Sequence, residues 1–387
     1  MSRFSLPIVI VTPAFPPDRG GLALAAAHLA RQLQPHLRLE VVVLGRSNST
    51  AITTFAADGG FPVLRATAPT WAEAQQQAFH LLRERGPYRL LHGIYPSLTG
   101  FPVALAARVT STPFVLAARG NDLHRDIFRS ERYGGLLFAL QRANAVVGVS
   151  RELCQLSVEL GATGLVRWIP DGVDCVRFQP VPPGPELLSE LDLAAAHPRL
   201  GFTGEACPEK GLSTMLQALV LLRRHYPQAT LLLIGGVREN ARSILAEFLD
   251  ARPELRSAVR ELPWLPQERL AAYYGLLDVF WYPTRGGGSP NAVLEALACE
   301  IPVVASRTGG IADILADTPL VSLLVPPDNP PALAETTLRL LRANPEARAE
   351  LGAAGRDRAM LWFTLNAEAK AYLDLYDEID NAGMPMP

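Results

Sequence analysis

The sequence predicts an α/β protein of two Rossmann-like domains, each with a parallel sheet and both facing a central cleft. Three observations lead to this fold class. Short β-rich runs alternate with Ala/Leu-rich segments of helical character along most of the chain. The 387 residues exceed what one ordinary core organises. A proline-rich segment interrupts the alternation near the middle of the chain.

Five β-rich runs define the predicted N-terminal domain, residues 1–180. These runs are PIVIVTP, LEVVVLG, RLLHGIYP, PFVLAAR and NAVVGVS. A helix candidate or a polar turn separates each run from the next, which is the pattern of βα units on a parallel sheet.

Five further runs define the predicted C-terminal domain, residues 199–364. They are RLGFTGE, ATLLLIGG, LDVFWYP, IPVVASR and LVSLLVPP. Between the two sets, FQPVPPGPELLSELDLAAAHP opens with prolines, and we assign residues 181–198 as the linker. The cleft between two open α/β domains is the predicted ligand site.

The composition, 49% hydrophobic and 19% charged, is typical of a globular protein. Residues 1–180 carry 18 basic and 12 acidic side chains, whereas 181–387 carry 18 and 26. A basic N-terminal half suits an anionic substrate or an acidic membrane surface, with uneven surface charge as the alternative. The four cysteines lack the spacing of zinc ligands. We expect a cytoplasmic chain without a signal peptide or spanning segment, peripheral to a membrane at most.

Both predicted domains contain a strand, a glycine-bearing turn and a helix. Gly20 and Gly21 follow the first strand, and Gly286, Gly287 and Gly288 precede a helix with Ser289 as its N-cap and Pro290 as its first residue. A helix N-terminus presents unpaired N–H groups, and glycine lets a phosphate approach the backbone. We interpret both turns as anion sites, with an ordinary tight turn as the alternative.

Lysine is rare in this chain, since Lys210 and Lys370 stand among 34 arginines. Lys210 lies in GFTGEACPEKGLSTMLQALVLL, which predicts a strand, a polar turn and a helix. An ammonium on a flexible stem reaches a phosphate as a point charge. We therefore predict that Lys210 binds phosphate, with a solvated turn lysine as the alternative.

These residues resemble glycosyltransferase family 4, retaining enzymes of the GT-B fold that use nucleotide sugars. The likeness covers nearly the whole chain, and its segment 262–314 is the most specific. It rests on PPDRGG, LLHG, RGND, VVGVSREL, IPDGVDCVRFQP, PEKGL, LPWLPQERLAAYYGLLDVFWYPT, SPNAVLEALACEIPVVAS and GGIADIL. The resemblance implies that the last helix, residues 365–380, packs back on the N-terminal domain. It also implies a nucleotide diphosphate sugar as donor substrate and no separate cofactor.

Carried over by position, the resemblance implies a donor site. Gly20 and Gly21 would lie beside the donor phosphates and the acceptor, and Lys210 would neutralise the diphosphate leaving group. Glu295 would accept hydrogen bonds from the ribose hydroxyls, and Trp264 lies in the segment that would border the base. Helix N-terminal amides for the phosphate and sugar would come from Ser289, Pro290, Asn291, Ala292 and Val293.

Two departures from the family concern charge. Glu205 follows Gly204 where the family has Gly-Arg, so an acid replaces one expected phosphate cation. Arg119 stands at the histidine of the His-Gly-x-Asp pattern, in which Asp122 is the aspartate. We expect Arg119 to contact a sugar hydroxyl or to supply the missing positive charge.

A third departure leaves the donor sugar open. Gly287 lies eight residues before Glu295, where the first glutamate of the family's pair belongs. Our hypothesis is that the glycines make room for a differently substituted donor sugar, or for Arg285 to turn inward and contact it.

Two further candidates concern the N-terminal half. His92 ends a predicted strand and is a candidate active-site residue, with a structural histidine as the alternative. The stretch HRDIFRSERYGGLLFALQR, residues 124–142, suits an anionic membrane that carries a lipid-linked acceptor, and an amphipathic core helix is the alternative.

We predict transfer of a hexose-like unit from a UDP- or GDP-sugar to a sugar, lipid-linked sugar or small hydroxyl acceptor, with retention, in bacterial polysaccharide or glycolipid synthesis. No D-x-D pair is present, so no metal site is predicted. No nucleic-acid partner is expected. The alternatives are a weakened relative that binds nucleotide sugar or a partner without turnover, and a nucleotide-sugar epimerase or hydrolase. Glu205 and Gly287 favour the weakened relative, whereas Lys210 and Glu295 oppose it.

Overall fold

The computed structural model describes residues 5–56, 60–286 and 290–382. The chain divides into two compact α/β units. Unit 1 comprises Met1–Gly172 and Leu365–Pro387, and unit 2 comprises Val173–Thr364.

The division between the units falls after Gly172, earlier than the predicted boundary at residue 180, and residues 181–198 lie within unit 2. The contacts of the segment that follows give the reason. The Val173 N–H donates to the carbonyl of Phe363, and the Phe178 ring packs edge-on against Tyr274. Phe178 is only 1% exposed, so this segment forms part of the core of unit 2.

Within the described residues, the strands of unit 1 form one eight-stranded sheet. They are β1 (Ile8–Thr12), β2 (Leu39–Arg46), β3 (Ala51–Ala56), β4 (Pro62–Ala68), β5 (Leu90–Ile94), β6 (Phe114–Ala118), β7 (Ala145–Gly148) and β8 (Leu165–Trp168). The sheet order is β3-β4-β2-β1-β5-β6-β7-β8. All pairs are parallel except β3 with β4.

The helices of unit 1 include the last helix of the chain. They are α1 (Gly21–Leu33), α2 (Trp71–Arg85), α3 (Pro96–Thr110), α4 (Asn121–His124), α5 (Ser130–Leu140), α6 (Arg151–Glu159) and, after unit 2, α15 (Leu365–Asn381). The apolar residues of α15 join those of α1 in the core on one face of the sheet, whereas residues of α2, α3 and α5 cover the other face. Sheets covered on both faces require the near-continuous apolar strands seen in the sequence.

Unit 2 contains a parallel six-stranded sheet within its described residues. Its strands are β9 (Arg199–Thr203), β10 (Thr230–Ile234), β11 (Val259–Leu262), β12 (Val279–Tyr282), β13 (Val303–Ser306) and β14 (Leu324–Val325). Its helices are α7 (Pro185–Glu190), α8 (Leu212–Arg223), α9 (Arg242–Asp250), α10 (Gln267–Tyr274), α11 (Asn291–Ala298), α12 (Gly309–Leu315), α13 (Pro330–Arg342) and α14 (Pro345–Trp362).

The strand order of unit 2 is β11-β10-β9-β12-β13-β14, the doubly wound order of a Rossmann fold. In unit 1 the strand order also runs outward in both directions from the first strand, β1. The antiparallel pair of β3 and β4 lies at one edge of that sheet. The predicted α/β class with two Rossmann-like units is therefore confirmed. The order reverses between β1 and β5 in unit 1 and between β9 and β12 in unit 2, and ligands of such sheets bind beyond the carboxyl ends of those strands.

The described helices were also compared with the length and apolarity that a membrane span requires. Across residues 5–56, 60–286 and 290–382, none of them meets both requirements.

Candidate functional site

In unit 2, the turns that follow three adjacent strands meet at the carboxyl edge of the sheet. We call this region the switch-point edge and define it as residues 204–211 after β9, 235–238 after β10 and 283–286 after β12. Each of the three turns contains glycine at positive φ, for example Gly211 at 80° and Gly235 at 113°. Glycine lets these turns pack closely, since a Cβ on Gly235 would lie 2.9 Å from the backbone of Gly204.

Lys210 lies at the centre of the switch-point edge. Its Nζ donates a hydrogen bond of 2.9 Å to the Tyr282 hydroxyl, and the ammonium lies 5.2 Å from the centroid of that ring. Tyr282 is itself stacked on Phe202 and Phe280, with interplanar angles of 17° and 18°. Tyr282 raises the pKa of Lys210, whereas burial acts in the opposite direction. The ammonium is therefore charged and held in place by β12.

Backbone contacts fix the Lys210 turn against the end of β12. A Cβ at Gly211 would lie 2.1 Å from the Pro283 carbonyl oxygen, so only glycine permits this approach. The carbonyl of Glu209 accepts hydrogen bonds from the Arg285 N–H at 3.0 Å and from the Thr284 hydroxyl at 3.1 Å. The turn formed by PEKGL thus packs against the end of β12, about 70 residues later in the sequence, and this contact fixes the position of Lys210.

Glu205, the acid at the expected arginine position, forms an ion pair with Arg238. The Arg238 Nε lies 3.3 Å from Oε2 of Glu205, and its NH1 lies 3.7 Å from Oε2 of Glu209. The Glu205 side chain is 63% exposed. The switch-point edge therefore contains two cations and two carboxylates in the turns after β9 and β10.

Glu295 lies in the second turn of α11 and is only 8% exposed. The Tyr274 hydroxyl donates a hydrogen bond of 2.8 Å to its Oε2. Burial raises the pKa of Glu295 to about 7, while the Tyr274 hydrogen bond and the charge of Arg177 act in the opposite direction. Glu295 thus changes protonation near neutral pH.

The turn before α11 contains three of the predicted site residues, Gly287, Gly288 and Ser289, which lie outside the described residues. The helix begins at Asn291, so Pro290 is the residue before it and not, as predicted, its first residue. The Pro290 ring fixes a φ of −91° there, and its carbonyl accepts the N–H of Val293 at 2.8 Å. The N–H of Val293 is thus hydrogen-bonded within the first turn of α11. Asn291 and Ala292 are the first two residues of that turn.

Two other predicted residues of unit 2 lie near the same sheet edge. The Arg285 Nε forms an ion pair of 2.8 Å with Asp328, so in this structure Arg285 is directed toward the residues after β14. Trp264 follows β11 and is 45% exposed. An exposed indole beyond the carboxyl end of a strand offers a flat apolar face to a planar ligand.

In unit 1, Gly20 and Gly21 lie at the start of α1, as the sequence predicts. Gly20 has a φ of 117°, and no side chain caps the helix. The preceding loop is held by Arg65 of β4, which forms an ion pair of 2.9 Å with Asp18 and donates to the carbonyls of Phe15 and Pro16. The open end of α1 thus lies at the switch point of unit 1.

Arg119 and Asp122 lie in and beside the turn after β6, and both side chains contact other residues of unit 1. The Arg119 side chain is 9% exposed, and its NH2 lies 2.6 Å from Oδ2 of Asp171. Asp122 is fully buried and accepts hydrogen bonds from the N–H groups of Arg119, Gly120 and Leu123 at 2.7–3.1 Å. Burial raises the pKa of Asp122 to about 6. Asp122 therefore organises the backbone of this turn.

His92 packs against α15 in the core of unit 1. It is 0% exposed, and its Nδ1 lies 2.8 Å from the Tyr376 hydroxyl. The Tyr372 ring lies 5.0 Å from the imidazole, centroid to centroid. Burial, with the charge of Arg119, lowers the pKa of His92 to about 3. The imidazole is therefore neutral at physiological pH. Its contacts with the buried tyrosines of α15 are those expected of a structural histidine.

Sequence reasoning missed four residues that define these contacts: Tyr282, Tyr274, Arg238 and Asp171. Asp171 lies in the quoted motif IPDGVDCVRFQP, and the other three lie in or beside predicted strands and helices, but no spacing in the sequence pairs them with Lys210, Glu295, Glu205 or Arg119. The signals available were the tyrosine that ends β12 and an arginine following Gly235 and Gly236.

The sequence of this chain matches a known protein family. The family described as Glycosyl transferases group 1 matches residues 197–343, which contain the whole switch-point edge and Glu295. The D-inositol 3-phosphate glycosyltransferase of Frankia alni is 30% identical over 402 residues, covering 93% of this chain and 94% of that protein.

A second relative and a solved structure extend the comparison. The GDP-mannose-dependent alpha-(1-6)-phosphatidylinositol monomannoside mannosyltransferase of Mycolicibacterium smegmatis is 26% identical, covering 91% of this chain and 94% of that protein. Anabaena HepE in complex with UDP and glucose has a TM-score of 0.77 and 17% identity, covering 96% of this chain and 100% of that chain. This likeness confirms the predicted GT-B fold class.

Proposed function

Since the chain belongs to the glycosyl transferases group 1, we propose that it transfers a sugar from a nucleotide diphosphate sugar to a hydroxyl acceptor, with retention of anomeric configuration and without a metal ion. The observation that carries this proposal is Lys210, held by Tyr282 at the carboxyl edge between β9 and β12. Nucleotide ligands of doubly wound sheets bind at this reversal of strand order.

Lys210 stabilises the leaving group. When the bond between the sugar and the diphosphate breaks, negative charge accumulates on the phosphate oxygens. A partly buried ammonium stabilises that charge more strongly than an exposed one, because the surrounding dielectric is lower. The Tyr282 hydrogen bond keeps Nζ in place before the donor arrives, so little reorganisation accompanies the reaction. In unit 1, the open start of α1 with Gly20 and Gly21 offers N–H groups that suit an anion.

Glu295 binds the ribose of the donor. A carboxylate accepts two hydrogen bonds, which matches the two hydroxyls of a ribose. Its pKa of about 7 means that ribose binding competes with protonation in the neutral range. The start of α11 and Trp264 border the sugar and the base in this proposal. The base is uracil or guanine, because HepE is in complex with UDP and the mycobacterial relative is GDP-mannose-dependent.

The acceptor is a sugar, a lipid-linked sugar or a small hydroxyl compound in bacterial glycolipid or polysaccharide synthesis. The two relatives, a D-inositol 3-phosphate glycosyltransferase and a phosphatidylinositol monomannoside mannosyltransferase, support this class. Phe128, in the stretch 124–142, is 83% exposed, and Tyr133 on α5 is 46% exposed. Exposed aromatic rings beside Arg129 suit the surface of an anionic membrane on the cytoplasmic side. Leu136 and Leu140 of the same helix are buried in the core.

Nucleotide binding tests the donor site. UDP, GDP, uridine and guanosine are titrated calorimetrically into the parent and into K210A, with K370A as the matched control. Lys370 is the other lysine of the chain, 75% exposed and paired with Asp374 on α15. A charge-assisted contact contributes about 1.5–3 kcal/mol, so K210A should weaken the diphosphates about 10- to 150-fold and leave the nucleosides nearly unchanged. Equal diphosphate affinity in K210A and the parent would place the donor site elsewhere.

Turnover separates the proposal from its alternatives. Transfer from UDP- and GDP-sugars to a panel of sugar and glycolipid acceptors supports a transferase, and NMR of the product's anomeric proton reports retention. Donor hydrolysis or epimerisation without any acceptor would indicate the enzyme alternative. Nucleotide-sugar binding without turnover would indicate the weakened relative, which the acid Glu205 at the switch-point edge favours.

A further inference from the structure

Arg238 occupies a fixed position at the switch-point edge. Its N–H donates to the Ala206 carbonyl at 3.0 Å, and the Ala206 N–H donates to the Gly236 carbonyl at 2.9 Å. The turns after β9 and β10 are thus joined by backbone hydrogen bonds beyond the ends of their strands. These bonds place Arg238 beside the turn that carries Lys210.

The guanidinium of Arg238 contacts the two carboxylates of that turn. Its Nε lies 3.3 Å from Glu205, its NH1 lies 3.7 Å from Glu209, and the side chain is 41% exposed. Glu209, which Arg238 contacts, is the residue before Lys210 in the same turn. The Glu205 side chain is 63% exposed, so its ion pair with Arg238 contributes little to stability.

We propose that Arg238 is the second cation that binds the donor diphosphate, supplied from the turn after β10 in place of a cation at position 205, and that Glu205 holds it until the diphosphate arrives. This inference rests on the proposed function and concerns the same site. Arginine suits the role because its planar fork of donors matches phosphate oxygens bidentately, whereas Lys210 acts as a point charge.

The arrangement explains how an acid is tolerated beside a diphosphate. With Arg238 paired to Glu205, their charges cancel, and Glu205 does not repel the ligand as an isolated carboxylate would. When phosphate replaces the carboxylate on Arg238, Glu205 is released to solvent, where its 63% exposed side chain is readily hydrated. Glu205 and the donor therefore compete for one guanidinium.

The test compares diphosphate affinity in R238Q and in the matched control R242Q, using the full chain. Arg242 lies four residues later and also contacts two carboxylates, Glu239 at 3.1 Å and Glu261 at 3.2 Å. The probe is UDP or GDP, whichever binds the parent more tightly, with its nucleoside measured in parallel. R238Q should weaken the diphosphate about tenfold or more and the nucleoside less than about twofold, and R242Q should bind both like the parent. R238K should fall between R238Q and the parent.

A charge-balanced variant distinguishes direct contact from screening. E205Q should bind the diphosphate more tightly than the parent, because the competing carboxylate is removed. E205Q/R238Q has the net charge of the parent and should bind the diphosphate about tenfold more weakly than E205Q. If E205Q/R238Q binds as tightly as E205Q, Arg238 only screens Glu205 and the inference is overturned.

The two proposals fail differently. Parent-like binding in R238Q together with weakened binding in K210A overturns the role of Arg238 and leaves the donor site in place. If the parent binds neither diphosphate, the proposed function is overturned and this inference with it.

Discussion

Replacing Glu295 with glutamine should stabilise the ligand-free protein at pH 8 while weakening nucleotide binding. Burial raises the pKa of Glu295 from the usual 4.5 to about 7. Between these values the folded protein binds more protons than the unfolded chain. The free energy of unfolding therefore falls as pH rises from about 4.5 to 7 and is level above that range. Glutamine does not titrate, and its side-chain carbonyl accepts the hydrogen bond of Tyr274 in place of the carboxylate.

The size of the effect follows from the shift of the pKa. A difference between 4.5 and about 7 corresponds to about 3 kcal/mol at high pH, since each unit is worth about 1.4 kcal/mol. Part of this cost is already present at pH 5, so the change between pH 5 and pH 8 is about 2 to 3 kcal/mol. The stability of E295Q relative to the parent should increase by that amount across the range.

Urea unfolding at several pH values measures this difference. The fully buried Trp281 of β12 contributes to the tryptophan fluorescence that follows unfolding. Other buried acids, such as Asp122 and Glu368, are present in both proteins, so their titration cancels in the comparison. E268Q removes the same charge at a side chain that is 69% exposed and should show no comparable trend. A stability difference between E295Q and the parent that stays constant from pH 5 to pH 8 would refute the reasoning from burial.

The same variant should bind UDP, GDP and their nucleosides more weakly if Glu295 accepts hydrogen bonds from the ribose, as proposed above. Higher stability combined with lower affinity is the expected behaviour of a buried charge that is maintained for binding. Tight binding of all four ligands to E295Q would exclude the ribose contact.

If the protein catalyses transfer, its activity should survive exhaustive chelation by EDTA, because in the proposed site the charge of Lys210 neutralises the leaving group; loss on chelation and recovery with manganese or magnesium would contradict this. D122A should destabilise the protein by about 3 kcal/mol or more in thermal and urea unfolding, because the buried carboxylate accepts three backbone N–H groups, whereas D122N retains an acceptor and should lose less. G287E should change the preference between donor sugars, as measured by kcat/KM for several nucleotide sugars, and an equal gain for every donor would instead identify a decayed transferase.

The strands that the sequence predicts are those with continuous apolar runs, and each of the ten runs contains a strand in the structure. The four missed strands are β3, β4, β8 and β11. The residues of β3 are mostly exposed, as expected of an edge strand, and those of β8 and β11 include charged residues. Such segments acquire strand conformation from a neighbour across the sheet, which local patterns do not encode.

In the candidate site, too, the contacts depend on pairing between distant segments, which local sequence patterns do not encode. Lys210 stands out in the sequence because lysine is rare here, yet its partner Tyr282 lies 72 residues away and is brought to it by the order of the strands. Glu205 looks like a loss of positive charge in the sequence, because Arg238 lies 33 residues later and becomes its neighbour only when β9 pairs with β10. The sequence indicated which residue types form the site, whereas the contacts between them follow from the order of the strands.

The return of α15 to unit 1 has a consequence for synthesis on the ribosome. The His92 imidazole meets the Tyr376 hydroxyl across 284 residues of sequence, and Tyr372, Tyr376 and Ile379 complete an apolar cluster around β1. Unit 2 is contiguous in sequence, so all of its residues have been translated before α15 emerges. The core of unit 1 therefore stays incomplete until α15 has been translated, and until then apolar residues of α1 and β1 lack their α15 partners. A stop codon directly after the codon for Thr364 would yield a chain with all of unit 2 but without α15, so the core of unit 1 would remain incomplete.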